Sequence, residues 1–302
     1  MHEPVLSRLA GIGAALRERA LGRAFGLLEQ VKTRRYVTGL AGVQIPDPPR
    51  GTVATFKHSG NSGDVIYAIP AMQALAGELP LAIRLRLDVL DRRQARGHPA
   101  GSVRLNRRMF DMLRPLLLAQ PGVASCEVHT GDPVDYDLDL VRDYPFPLHI
   151  GHIARSYFLT FAIHADLGQP WLRVQPDTTF HDCIVLARSA RYHAPGIDYG
   201  FLRRFPRTVF VGVEEEFQDM RRMIPGLQFH AVTDFLQMAQ VIGGSQLFIG
   251  NQSLPFALAE GLKARRMLEV CHLCPNVIVE GPGGFDFCYQ PQFEQLVGRL
   301  MA

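Results

Sequence analysis

Short β-rich runs alternate with helix-compatible stretches from Thr52 to Cys271, and this alternation limits the folds open to the chain. Thr52 to Phe56, Leu81 to Leu87, Ala124 to His129 and Leu138 to Val141 read as strands, while Val65 to Ala76, Phe110 to Ala119 and Ile150 to Leu167 read as helices. A second series follows the extended segment Pro170 to Val174. Its expected strands are Cys183 to Ala187, Thr208 to Val213, Leu227 to Val232, Gln246 to Gly250 and Met267 to Cys271. Its expected helices are Glu214 to Ile224, Phe235 to Ile242 and Leu254 to Lys263. Parallel strands need crossovers, and helices of this length supply them, so the pattern predicts an α/β fold with two Rossmann-like, doubly wound parallel sheets. Ligands of such folds sit beyond the carboxyl ends of strands, often in a cleft between domains. The residues just after each strand therefore carry the functional information.

Ahead of this series, Leu6, Leu9, Leu16, Leu21, Leu28 and Val31 recur at helical intervals, with Arg17, Arg19, Arg23, Lys32, Arg34 and Arg35 on the polar side. The segment is expected to pack on its own domain; peripheral contact with an anionic membrane surface is the alternative. The run Ile45-Pro46-Asp47-Pro48-Pro49-Arg50-Gly51 breaks regular structure. The expected organisation is a helical extension over 1–50, an N-terminal Rossmann-like acceptor domain over 51–175 and a C-terminal nucleotide-sugar domain over 176–302.

Composition removes several classes. Hydrophobic residues at 47% and charged ones at 20% exclude extensive disorder, and the formal charge of +3 does not by itself point to nucleic acid. No apolar run reaches the roughly 20 residues needed to cross a bilayer, and the N-terminus lacks a signal-peptide pattern. Five scattered cysteines do not make a disulfide framework, so a cytoplasmic setting is expected. Cys271-His272-Leu273-Cys274 has metal-ligand spacing without a second pair, so free thiols are expected there and no metal or resident cofactor elsewhere. Asp135, Asp137 and Asp139 read as a solvated edge strand, and the histidines form no catalytic constellation.

Two strand-end loops carry the chemistry. In the first, His58-Ser59-Gly60-Asn61-Ser62-Gly63-Asp64 runs into the Val65 helix; small residues there expose backbone N–H groups at the positive helix end. On the residues alone Asp64 is a helix N-cap first and a catalytic carboxylate second. In the second, the strand ending at Gly250 leads into Asn251-Gln252-Ser253 and a helix with Pro255 in its first turn. One capping group would suffice, and three consecutive polar side chains favour a phosphate ligand.

The order of these loops resembles glycosyltransferase family nine, the ADP-heptose:lipopolysaccharide heptosyltransferases. Ser62-Gly63-Asp64-Val65-Ile66-Tyr67-Ala68-Ile69-Pro70-Ala71 is similar to that family's Gly-Asp-Val signature. Gln252-Ser253-Leu254-Pro255-Phe256-Ala257-Leu258-Ala259 is similar to its Asp-Ser/Thr-Gly-Pro-x-His-x-Ala donor-phosphate motif, with Gln252, Leu254 and Ala257 in place of the aspartate, glycine and histidine. The resemblance implies a GT-B fold and an inverting, metal-independent transfer from a nucleotide-sugar, heptose being the family's default. In that scheme Asp64 is the general base, Ser62 and Gly63 border the donor, and Asn251, Gln252 and Ser253 hold the leaving diphosphate. Arg188, Ser189 and Arg191 follow a strand and are candidates for clamping the diphosphate. Glu260 and Glu269 are candidates for the donor ribose. Six arginines (Arg92, Arg93, Arg96, Arg104, Arg107, Arg108) are expected in a loop facing an anionic or glycolipid acceptor, with nucleic acid the weaker alternative. Rival readings are a nucleotide-sugar epimerase on the same fold and a non-catalytic nucleotide- or partner-binding protein.

Overall fold

The computed structural model describes residues 3–43, 46–91, 98–144 and 148–302. Arg92, Arg93 and Arg96 of the expected basic loop, and Ile45 of the expected break, lie outside them.

Both series form parallel sheets. In the N-terminal sheet the strands β1 (Ala54–His58), β2 (Leu81–Leu85), β3 (Val123–Val128) and β4 (Tyr136–Asp137) lie in the order β3-β2-β1-β4. The C-terminal sheet contains β5 (Ile184–Ala187), β6 (Thr208–Phe210), β7 (Gln228–Phe229), β8 (Leu247–Asn251), β9 (Arg266–Glu269) and β10 (Gly284–Phe287), in the order β10-β9-β8-β5-β6-β7. Central strands such as β5, β8 and β9 are buried along their whole length, as strands covered on both faces must be. The last strand and the closing helix α8 (Gln290–Leu300) lie beyond the expected series. Phe293 of α8 stacks on Phe287 of β10 at 4.0 Å and 4°, which anchors this end.

Three expectations on the N-terminal side are corrected. Leu138–Arg142 is a 3-10 turn and not a strand, because Asp137 Oδ1 accepts from Asp139 N–H and closes the backbone into a turn. The α4 helix is Ile153–Phe161 only; Ala162 takes a left-handed conformation that ends it. Asp135, Asp137 and Asp139 do lie on and beside the edge strand β4, with Asp135 exposed, but their carboxylates are not left to solvent. They bind Thr55, Lys57 and Ser59 in turn, every second residue along and just past β1, and so pin β4 and the turn after it to the sheet.

α2 (Ser62–Ala76) contains Pro70 in its middle, where the ring removes the N–H that would bind the Ile66 carbonyl. The indole N–H of Trp171 takes that carbonyl at 3.1 Å, so the break is satisfied by the segment that joins the two series. The chain after Trp171 is itself tied down, with the Trp171 and Leu172 amides both donating to Gly261 O in α7 (Leu254–Leu262). One apolar cluster runs from α2 and α3 (Arg107–Leu118) to α6 (Phe235–Gly244) and α7, so the two sheets share a core; a second cluster fills the far face of the C-terminal sheet. That face is closed by α5 (Glu214–Met223) through Phe217 and Met220.

α1 (Glu3–Ala41) is one continuous helix. The expectation that it packs on its own domain fails for its described side chains: residues 21–35 are all exposed. Only its end returns to the body, where Leu40 and Val43 line a hollow with Phe158 and Ile163 of the α4 region.

Candidate active site

A cavity of about 670 Å³ opens between the carboxyl ends of β1, β5, β6 and β8. It brings together Ser62, Gly63, Asp64, Ser189, Arg191, Gln252 and Ser253 from the sequence candidates, with Arg104 and Arg108 on the N-terminal side. Arg107 and Arg108 begin α3 and are not loop residues; Arg107 pairs with Asp111 one turn on.

Asp64 is not the N-cap of α2. Asn61 holds that position and Asp64 sits three residues on, its Oδ2 accepting the Asn61 N–H at 3.2 Å. The same oxygen faces Arg142 Nη2 at 3.3 Å, and Arg142 Nη1 lies 3.2 Å from Asp139. Asp139 is in turn held by the Ser59 hydroxyl at 2.7 Å. Below them, His58 and Tyr157 meet at 2.7 Å, with Gly60 N–H donating to His58 Nδ1. The assembly leaves no room at Gly60, whose added Cβ would fall 2.5 Å from the His58 ring, 2.7 Å from Asp64 Oδ2 and 2.8 Å from Arg142. Burial raises the Asp64 carboxyl above its ordinary range and the Arg142 charge opposes this. The result is a carboxylate more basic than a solvated one, oriented by a cation, at the rim of a cavity. Tyr67, one turn along α2, also lines the cavity. Its buried hydroxyl has no hydrogen-bond partner among the described residues.

Packed against Gly63, α7 follows Ser253, the residue at its N-cap position, whose side chain donates to Asn251 O and does not cap the helix. Gln252 touches the cavity, yet its amide is engaged with Cys271 N–H, Cys274 O and Asn276. Its position is therefore that of a brace between loops with one edge at the cavity. Asn251 does not line the cavity. It is fully buried, accepting from Ser189 N–H and donating to Ser189 O and Arg191 O, so it shapes the β5 loop that presents Arg191.

Three more candidates point elsewhere. Arg188 forms a two-pronged ion pair with Glu269 at 2.7 and 2.8 Å and lies over the Tyr199 ring; Tyr199 and Ala194 N–H complete the carboxylate's shell. Buried charges need such pairing, which engages Arg188 and Glu269 together beneath the β5 loop. Glu260 is fully buried against Arg266 and Lys263. Neither glutamate reaches the cavity.

The sequence reading did not single out Arg142, Tyr67, Glu216 or the wall made by Gly212, Val213, Phe229, Phe235 and Met238. Glu216 accepts from Ala190 N–H at 3.2 Å, linking α5 to the β5 loop, and burial lifts its pKa to about 7. Its signal was present as three glutamates opening a helix after a strand, where acidic side chains suit the helix dipole. No group of three His, Cys, Asp or Glu side chains placed to hold a metal ion occurs among the described residues.

No family model matches the sequence, and no curated protein matches it significantly. Solved structures do match the fold. The glycosyl transferase family 9 protein from Veillonella parvula aligns with a TM-score of 0.50 at 11% identity over 82% of this chain and 89% of its own. The E. coli heptosyltransferase WaaC, solved with ADP, aligns with a TM-score of 0.53 at 11% identity over 82% of this chain and 99% of its own. The chain has the GT-B fold seen in family 9 glycosyltransferases. In GT-B terms, the cavity lies where the two Rossmann-like sheets face each other, with the Asp64 loop coming from one and the α7 start from the other.

Proposed function

We propose that this protein is a glycosyltransferase that moves a sugar from a nucleotide-sugar donor to an acceptor hydroxyl, with inversion and without a metal ion. The observation that carries the reading is Asp64: a largely buried carboxylate clamped by Arg142, on the cavity wall, beside an uncapped helix N-terminus. Asp64 takes the acceptor hydroxyl proton as that oxygen bonds to the anomeric carbon. The bond from that carbon to the diphosphate oxygen breaks, and the nucleoside diphosphate leaves with the electron pair. Arg191, Ser253 and the first amides of α7 stabilise its charge, since helix N-termini and guanidinium groups favour phosphate. The apolar wall of Val213, Phe229, Phe235 and Met238 suits the nucleoside base, and Arg104 and Arg108 suit an anionic acceptor. The heptose of the sequence resemblance is the first donor sugar to try.

A donor-binding protein without transfer is the second reading, favoured by one observation: the Asn251 and Gln252 side chains are engaged within the protein. One variant separates the two. Asp64→Asn keeps an acceptor for the Asn61 amide, so folding is retained, while transfer from a matched ADP-, UDP-, GDP- or CDP-sugar should fall about 10²- to 10⁴-fold. Donor affinity by titration calorimetry should hold. Wild-type donor binding with no turnover over an acceptor panel establishes the binding protein instead.

A further inference from the structure

α1 is about 58 Å long at 1.5 Å per residue, and its described side chains before Tyr36 touch nothing that buries them. It nevertheless carries large apolar groups: Leu21 is 69% exposed, Phe25 65%, Leu27 64%, Leu28 58% and Val31 45%. Leu21, Phe25, Leu28 and Val31 follow one another at intervals of four, three and three, so they share one helix face with Ala24, and Leu27 sits at its border. Arg23, Gln30 and Arg34 fall on the opposite face, while Lys32 and Arg35, one turn past Leu28 and Val31, lie on the stripe's own face and end it, so the apolar face is confined to residues 21–31. Between residues 17 and 35 the sequence holds six cations (Arg17, Arg19, Arg23, Lys32, Arg34, Arg35) and two acids (Glu18, Glu29), a net +4.

We propose that α1 lies on the surface of an anionic bilayer, with the Leu21–Val31 stripe at the acyl boundary and the cations among lipid phosphates. Charge decides between occupants. A second copy of α1 would bring +4 against +4, whereas an anionic headgroup layer answers both the stripe and the cations. The helix rests on the surface and does not cross it, since no helix among the described residues is long and apolar enough to span a membrane. No α1 residue lines the active-site cavity, so the proposal stands apart from the glycosyltransferase reading.

The test is sedimentation of the full chain with vesicles of phosphatidylcholine and phosphatidylglycerol at 3:1, against phosphatidylcholine alone. The wild type should pellet with the anionic vesicles at 0.1 M salt, bind at least tenfold less to the neutral ones and be released at 0.5 M salt. The double variant Phe25→Glu/Leu28→Glu should lose binding at least tenfold while its urea unfolding, followed at Trp171, stays unchanged, because both sites are exposed. Absence of anionic-vesicle binding overturns the proposal, as does equal binding by the variant. A dimer in light scattering that the same double variant splits, with no vesicle binding, assigns the face to a second copy.

Discussion

In the proposed transfer Asp64 acts as a base only while ionised, and burial set against its nearby cation decides when that is. Burial raises its pKa, and Arg142 at 3.3 Å lowers it. Removing the cation takes away the largest influence that opposes burial, leaving the Asn61 N–H and the more distant Arg104 and Arg191, so the folded-state pKa of Asp64 moves further up. Activity carried by the ionised form is lost as pH falls through that pKa, and Arg142→Ala should therefore shift the acidic limb of the kcat/KM profile to higher pH. Arg142→Lys, which keeps the charge, should recover most of the shift. A limb that stays in place in the alanine variant would mean Arg142 holds only Asp139. Neighbouring residues show how one position alone misleads. Arg188 and Arg191 lie three apart in the same loop, yet the first is paired with buried Glu269 and the second lines the cavity. Sequence proximity to a strand end is common to both; which of them finds a buried carboxylate is not.

At the scale of elements, α2 tolerates a mid-helix proline because another element supplies the missing donor. Trp171→Phe keeps most of the ring volume but leaves the Ile66 carbonyl buried without a partner, a loss of about 1–3 kcal/mol. It also replaces the indole over which Lys263 lies at 4.5 Å by a smaller ring that binds a cation more weakly. Urea unfolding by far-UV circular dichroism should show this loss. In the Pro70→Ala background, where the helix N–H returns to Ile66, the same substitution should cost less. Equal cost in both backgrounds would assign the effect to packing and Lys263 alone. The turn after β4 teaches a related point. Leu138 to Val141 alternates as a strand would, but Asp137 closes onto the Asp139 amide and converts the segment.

For the whole molecule, the shared core joins the two sheets across the cleft. Gly63 faces the α7 backbone closely, its would-be Cβ 3.7 Å from Leu254 Cα, so the two loops at the cavity are packed against each other. The single tryptophan sits at this junction. Its fluorescence should therefore change in the same urea transition as the far-UV signal, because parting the sheets exposes the core that holds both. A fluorescence change at lower urea would show that the sheets separate before either unfolds.

The residue pattern alone determined most of the alternating elements, their parallel pairing and the two loops that meet at the cavity, but not the turn after β4, the end of α4 or the closing β10 and α8. What it determined follows from periodicity, breakers and strand ends, all local properties. Tertiary structure decided what the charged groups do. Glu260, Glu269 and Arg188 became buried partners, Arg142 came from 78 residues away to Asp64, and α1 was left uncovered. A charge acts through whatever lies within a few ångströms of it, and for these side chains the neighbours are distant in the chain.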